Sequence, residues 1–113
     1  MLFQWDEKNL LHLEKHGVRP DEAEYVVNNA SPPFPREIGD DKHMVWGPTR
    51  TRRQLQVIFA YKSAEEVDYG SLTFEQLVAL SDAGEEESLI RVIHAMELPP
   101  TKLKNYRRIR RRK

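Results

Sequence analysis

The sequence predicts an α+β fold: a small, largely antiparallel sheet with two N-terminal helices packed on one face and a basic helix at the C-terminus. Apolar residues recur at helical spacing through residues 10–27. Further along, they alternate in short segments separated by tight turns, which is typical of consecutive antiparallel strands. The chain then ends in a helical pattern dense in Lys and Arg.

The N-terminal segment predicts one short strand and two helices. Residues 2–5 alternate between apolar and polar and favour a strand. Asp6 is a good N-cap for a helix, because its carboxylate can accept the free amides of the first turn. Gly17 suits the C′ position that ends this helix. Pro20 fits the first turn of the second helix, which a proline-rich connector ends.

The middle of the chain predicts the sheet. Strands are expected at residues 37–38, 44–46, 53–61 and 89–96. The first two flank a turn at residues 39–41 and form a hairpin. In the third, Leu55, Val57 and Phe59 share one face, while Ile58 on the other face indicates that this face is partly covered as well.

A chain of 113 residues is expected to form a single domain, 1–113. Residues 62–88 interrupt the strand pattern and are interpreted as an elaboration inserted between the last two strands. Within this insert, residues 71–80 favour a short helix, and the acidic run 85–87 follows it.

The formal net charge of zero conceals a separation of charge. From Lys102 onward there are eight Lys or Arg and no Asp or Glu, so residues 1–101 hold 10 basic and 18 acidic residues, a net charge of −8. A basic segment of this density attracts polyanions, because contact with phosphates releases condensed counterions. It could equally bind an acidic partner or pair with the acidic remainder of the chain.

Composition excludes several classes of protein. Without cysteine there is neither a disulfide framework nor thiolate chemistry. No apolar run approaches the roughly 20 residues that a membrane helix needs. The first six residues lack the basic and apolar regions of a signal peptide, so we expect a cytoplasmic protein that does not associate with membranes.

His12 and His16 stand four residues apart on the first predicted helix, a spacing that can hold a metal ion. A zincin motif needs Glu directly after the first His, whereas Glu14 comes one place later. With no cluster of further ligands visible, we predict no metal site. His16 is then explained by the favourable interaction of a cation with a helix C-terminus.

Arg91 and His94 are the candidate catalytic residues of the last strand. The near-neutral pKa of histidine makes His94 the best single general acid or base. In a regular strand the two side chains leave opposite faces, so only a bulge would bring them together. The alternative for His94 is a hydrogen-bonded core residue on the same face as Val92 and Met96.

Arg53 lies beside a turn with two further arginines and is a candidate phosphate ligand, because guanidinium groups match phosphate oxygens. A solvated turn is the alternative. Tyr106, in the basic helix, could stack on a base. Its position three residues after Leu103 also suits packing in the core.

The residues together resemble the BrnT-type toxins, small bacterial ribonucleases of type II toxin–antitoxin pairs with a RelE-like fold. Their opening is similar to Phe3-Gln4-Trp5-Asp6-Glu7, Asn9, Lys15-His16-Gly17-Val18, Glu22-Ala23 and Val26. Their last strand and closing basic helix are similar to residues 91–96 and 102–108. Where the family usually carries Ile-Ser-Ala-Arg, this chain has Ile93-His94-Ala95-Met96.

The resemblance implies metal-independent cleavage of RNA, in which a ribose 2′-OH attacks the adjacent phosphate and no cofactor is needed. His94 would act as acid or base, and Arg91 and Arg53 would stabilise the developing charge. RNA would be bound by Lys15, His16, Tyr106, Arg107 and Arg108. The implied partners are RNA and a small DNA-binding antitoxin of the ribbon-helix-helix type, with a homodimer inside the toxin–antitoxin complex.

Two other hypotheses fit the same sequence. One is a catalytically silent binding module of the same fold, which associates with protein or nucleic acid through its basic helix. The other is a structural protein in which the basic helix pairs with the acidic residues 65–87.

Overall fold

The α+β class is confirmed by the computed structural model, which describes residues 2–62, 70, 73–75, 77–78 and 89–111. The elements are β1 (Leu2–Gln4), α1 (Glu7–Lys15), α2 (Pro20–Asn28), β2 (Arg36–Gly39), β3 (Lys42–Pro48), β4 (Gln54–Lys62), β5 (Leu89–Glu97) and α3 (Pro100–Arg111). Among these described residues, no helix has the length and apolar character to cross a membrane.

The five strands form one sheet in the order β1-β5-β4-β3-β2. The pairs β2–β3, β3–β4 and β4–β5 are antiparallel, as predicted. The edge strand β1 instead pairs parallel with β5, so the sheet is mixed and the antiparallel prediction is wrong for this strand. β1 and β5 lie at opposite ends of the chain, so no hairpin turn constrains them to run antiparallel.

The predicted ends of the two N-terminal helices are confirmed. The Asp6 carboxylate accepts the Asn9 backbone amide at 2.9 Å, and the Asn9 side chain accepts the Asp6 amide at 2.7 Å. These reciprocal bonds form a capping box at the start of α1. Gly17 follows the helix with a φ of +67°, and Pro20 is the first residue of α2.

Both faces of the central sheet are covered. On one face Leu55, Val57 and Phe59 are fully buried, and α2 packs there against β3 and β4. On the other face, the ring of Tyr106 in α3 lies 6.2 Å from that of Phe34 and 6.5 Å from that of Trp46. The expectation of a partly covered second face is therefore confirmed.

Most of the predicted insert lies outside the described residues. Of the helix predicted over residues 71–80, Phe74, Glu75, Leu77 and Val78 have helical conformation. The Leu77 amide donates to the Thr73 carbonyl at 3.0 Å. The acidic run 85–87 and the suggested pairing of the basic helix with residues 65–87 fall on residues that are not described.

Candidate functional site

A bulge in β5 brings the two candidate catalytic residues to the same face of the sheet. Val92 pairs with Phe59 and His94 pairs with Ile58, so Ile93 is an extra residue without a partner in β4. Arg91 pairs with Ala60, which shares its face of β4 with Ile58. Arg91 and His94 therefore leave the same face, and the bulge that their convergence required is present.

Helix α1 lies along the edge of β5, beyond the end of the short strand β1. The Asn9 side-chain amide is buried and donates to the Gln4 carbonyl at 3.2 Å and to the Val92 carbonyl at 3.4 Å. This one side chain satisfies backbone acceptors of both strands where their pairing stops. The arrangement directs the next turns of α1 toward His94.

Three imidazoles meet where α1 passes β5. His12 Nε2 lies 3.2 Å from His94 Nδ1. The ring centroid of His16 lies 5.2 Å from that of His12 and 5.1 Å from that of His94. We call His12, His16 and His94 the histidine cluster. His12 and His94 are half-buried and His16 is exposed, so the cluster is open to solvent on one side.

The surroundings of His94 favour its neutral form. Burial lowers the pKa of His94 most, and positive charge on His16, His12 and Lys102 lowers it further. Lys102 lies in the first turn of α3, and its ammonium donates to Gln56 Oε1 at 3.1 Å. The basic helix therefore begins beside the histidine cluster, and a neutral His94 has a ring nitrogen available as a proton acceptor.

Arg91 forms an ion pair with Asp6, the N-cap of α1. The hydrogen bond from Arg91 is the main reason that the pKa of Asp6 is lowered, and the Asn9 backbone amide adds to the effect. Arg91 thus joins β5 to the start of α1, and its charge is balanced by a carboxylate. This contact gives the residue a structural role in addition to any contact with a substrate.

Arg53 is engaged in contacts that join three elements. Its Nη1 donates to the Gly17 carbonyl at 2.7 Å and lies 3.5 Å from Glu22 Oε1. Its Nε lies 3.9 Å from Glu97 Oε1. These contacts stabilise the ends of α1 and β5 against α2. We therefore assign it a structural role.

The residues expected to bind RNA fall into two groups. Lys15, His16, Arg107 and Arg108 are exposed. Tyr106 is only 8% exposed and packs against aromatic rings, which corrects the expectation that its ring stacks on a base. Its spacing from Leu103 places both side chains on the inner side of α3, so the core alternative is the one observed.

His12 is the site residue that sequence reasoning set aside. The four-residue spacing from His16 was visible, but the third member of the cluster lies 82 positions away in the sequence. Only the packing of α1 along β5 unites them.

Comparison of the chain with family models, curated proteins and solved structures finds no match. Evidence for a function therefore comes from the chemistry of the site.

Proposed function

We propose that this chain is the toxin of a type II toxin–antitoxin pair, a metal-independent ribonuclease with a RelE-like fold. The observation that carries the proposal is the pair of half-buried imidazoles, His12 and His94, whose nitrogens lie 3.2 Å apart beside the first turn of a basic helix. Cleavage by an internal nucleophile needs one group to remove a proton and another to supply one, and two adjacent imidazoles can do both near neutral pH.

In the proposed reaction, neutral His94 removes the proton of the ribose 2′-OH. The 2′-oxygen forms a bond to the adjacent phosphorus, and the bond from phosphorus to the 5′-oxygen breaks. His12, which must enter the reaction in its protonated form, donates a proton to that leaving oxygen, which yields a cyclic phosphate and a 5′-hydroxyl and leaves His12 neutral and His94 protonated. Lys102 and the remaining N–H groups of Arg91 supply positive charge for the phosphorane.

The outer side of α3 gives RNA a route to the cluster. Lys104, Arg107, Arg108, Arg110 and Arg111 are exposed, while Leu103, Tyr106 and Ile109 pack inward. An RNA strand bound to these cations would extend toward Lys102, which lies beside the histidine cluster. The antitoxin partner and a homodimer within the complex belong to this proposal through the family resemblance alone.

Inducible expression in a bacterial host tests the proposal. Wild-type protein should arrest growth and degrade cellular RNA, and His94→Ala or His12→Ala should each relieve both effects. Purified protein should still cleave RNA in excess EDTA. His43→Ala is the matched control, because His43 lies on β3 against the rings of Phe59 and Tyr61 and should leave cleavage unchanged. Normal growth and intact RNA with soluble wild-type protein would reject the enzyme.

A catalytically silent binding module of the same fold is the second candidate. It is favoured by the pairing of Arg91 and Arg53 with carboxylates, and by Met96 at the position where the family carries an arginine. This module would bind RNA or an acidic protein through α3 without cleaving RNA. Gel-shift and cleavage assays on one RNA preparation separate the two candidates.

A further inference from the structure

The histidine cluster has the composition and spacing of a transition-metal site. One ring nitrogen from each of His12, His16 and His94 can be chosen so that all three lie within 4.8 Å of one another. In a tetrahedral zinc site with metal–nitrogen bonds near 2.05 Å, ligand nitrogens stand about 3.3 Å apart. The 3.2 Å separation of the His12 and His94 nitrogens already meets this geometry.

We infer that the histidine cluster binds one divalent transition-metal ion, with Zn²⁺ as the reference ligand, through one nitrogen of each ring. The third ligand, His16, has a ring nitrogen within 4.8 Å of the other two, and its exposure permits a side-chain rotation that closes the site. The inference goes beyond the ribonuclease proposal and holds whether or not the chain cleaves RNA.

Regular secondary structure positions the ligands. His12 lies within α1, His16 is the residue that caps its C-terminus, and His94 lies on β5 directly after the bulge. Residues four apart on a helix project from one side and can bind the same ion. The capping box and the Asn9 bonds to Gln4 and Val92 hold α1 against β5, so the cluster is largely formed before the metal arrives.

The ligand set selects the class of ion. Imidazole suits Zn²⁺, Cu²⁺, Ni²⁺ and Co²⁺, whereas Mg²⁺ and Ca²⁺ prefer oxygen ligands. Three protein ligands leave the fourth tetrahedral position to water or an anion. The positive charge of the nearby Lys102 ammonium disfavours a metal dication that has only neutral ligands. It favours an anion as the fourth ligand, because the anion would lower the net charge of the site.

Metal and catalysis would compete for the same nitrogens. A bound ion occupies the lone pairs that His94 and His12 would use in proton transfer. If both proposals hold, Zn²⁺ inhibits RNA cleavage and EDTA restores it. A protein that binds Zn²⁺ but never cleaves RNA would retain the metal site and reject only the ribonuclease.

The test uses untagged full-length protein freed of metal with a chelator and then dialysed. Isothermal titration with Zn²⁺ should saturate at one ion per chain, and Co²⁺ should produce the intense visible absorption of a four-coordinate site. His12→Ala, His16→Ala and His94→Ala should each weaken binding by at least about tenfold, since each removes one of three ligands.

His43→Ala is the matched control, because it removes the fourth histidine of the chain while leaving the cluster intact. Circular dichroism confirms that each variant is folded, and the exposed His16 is the position where substitution disturbs folding least. Absence of saturable binding to wild type would overturn the inference. So would equal losses of affinity in His43→Ala and His16→Ala.

Discussion

At the scale of single residues, Asp6 connects two elements that are far apart in the sequence, α1 and β5. Its carboxylate accepts the Asn9 amide and the Arg91 guanidinium together, so it both starts α1 and attaches it to β5. Without this pairing, the half-buried charge of Arg91 would lose its partner. The position of the histidine cluster therefore depends on a carboxylate that takes no part in the proposed chemistry.

We expect Asp6→Ala to lower the free energy of unfolding by about 1–2 kcal/mol, since it removes a helix cap and an ion pair. Asp6→Asn keeps the cap, because Asn and Asp are about equally good N-cap residues. It should therefore lower the free energy of unfolding by less than Asp6→Ala does. Urea unfolding at neutral pH measures both.

The pH dependence of the Asp6 contribution follows from its lowered pKa. The stabilisation is fully present above the pKa of the unfolded carboxyl, about 4, and is lost as the pH falls through the lower folded value. The difference in unfolding free energy between wild type and Asp6→Asn should therefore be constant from pH 7 to 5 and shrink below about pH 4. A difference independent of pH would show that the ion pair contributes nothing.

At the scale of elements, α3 has two functions on opposite sides. Its inner side places Leu103, Tyr106 and Ile109 against the sheet, while its outer side carries exposed Lys and Arg. At its start, Gln56 Oε1 accepts from both Lys102 and Trp46, which links the helix to β4 and β3. Mutations on the inner side of α3 should therefore change stability, and mutations on its outer side should change charge without changing stability.

We expect Tyr106→Ala to destabilise the fold by about 3 kcal/mol, because it removes a buried ring that packs against Phe34 and Trp46. Tyr106→Phe should keep most of the stability, and Arg108→Ala should change it by less than about 0.5 kcal/mol. The midpoints of denaturant-induced unfolding measure the stability of the three variants relative to wild type. If the ring served RNA stacking instead, Tyr106→Ala would weaken RNA binding at unchanged stability.

At the scale of the whole molecule, charge is divided between the C-terminal helix and the rest of the chain. Residues 102–113 hold eight basic residues, and the other 101 residues carry a net charge of −8. The exposed Lys and Arg of α3 attract a polyanion to this helix.

As the salt concentration rises, the log Kd for a single-stranded RNA oligonucleotide should increase linearly with the logarithm of that concentration. Replacing Arg107 and Arg108 together by Ala should reduce the slope by about 1.4, because each arginine that binds a phosphate of a single strand adds roughly 0.7. Arg50→Ala, which removes a guanidinium that lies over the Tyr25 ring, should leave the slope unchanged. A salt-independent affinity would mean that α3 does not bind phosphates.

Helix ends and strand locations were predictable because their causes are local. Asp6, Gly17 and Pro20 determine α1 and α2 through hydrogen bonds and backbone preferences within a few residues. The alternation around Val57 and Phe59 likewise predicts β4 without knowledge of its neighbours. Helical spacing offered the inward direction of Tyr106 as one of two alternatives, and the burial of its ring decided between them.

The sequence by itself determined the class of the fold, the caps of its first helices and the polarity of its last one, since each follows from neighbouring residues. Tertiary structure alone decided that β1 runs parallel to β5, that Ile93 forms a bulge, and that His12 and His16 meet His94. These features arise from contacts between opposite ends of the chain, which no pattern of neighbouring residues specifies.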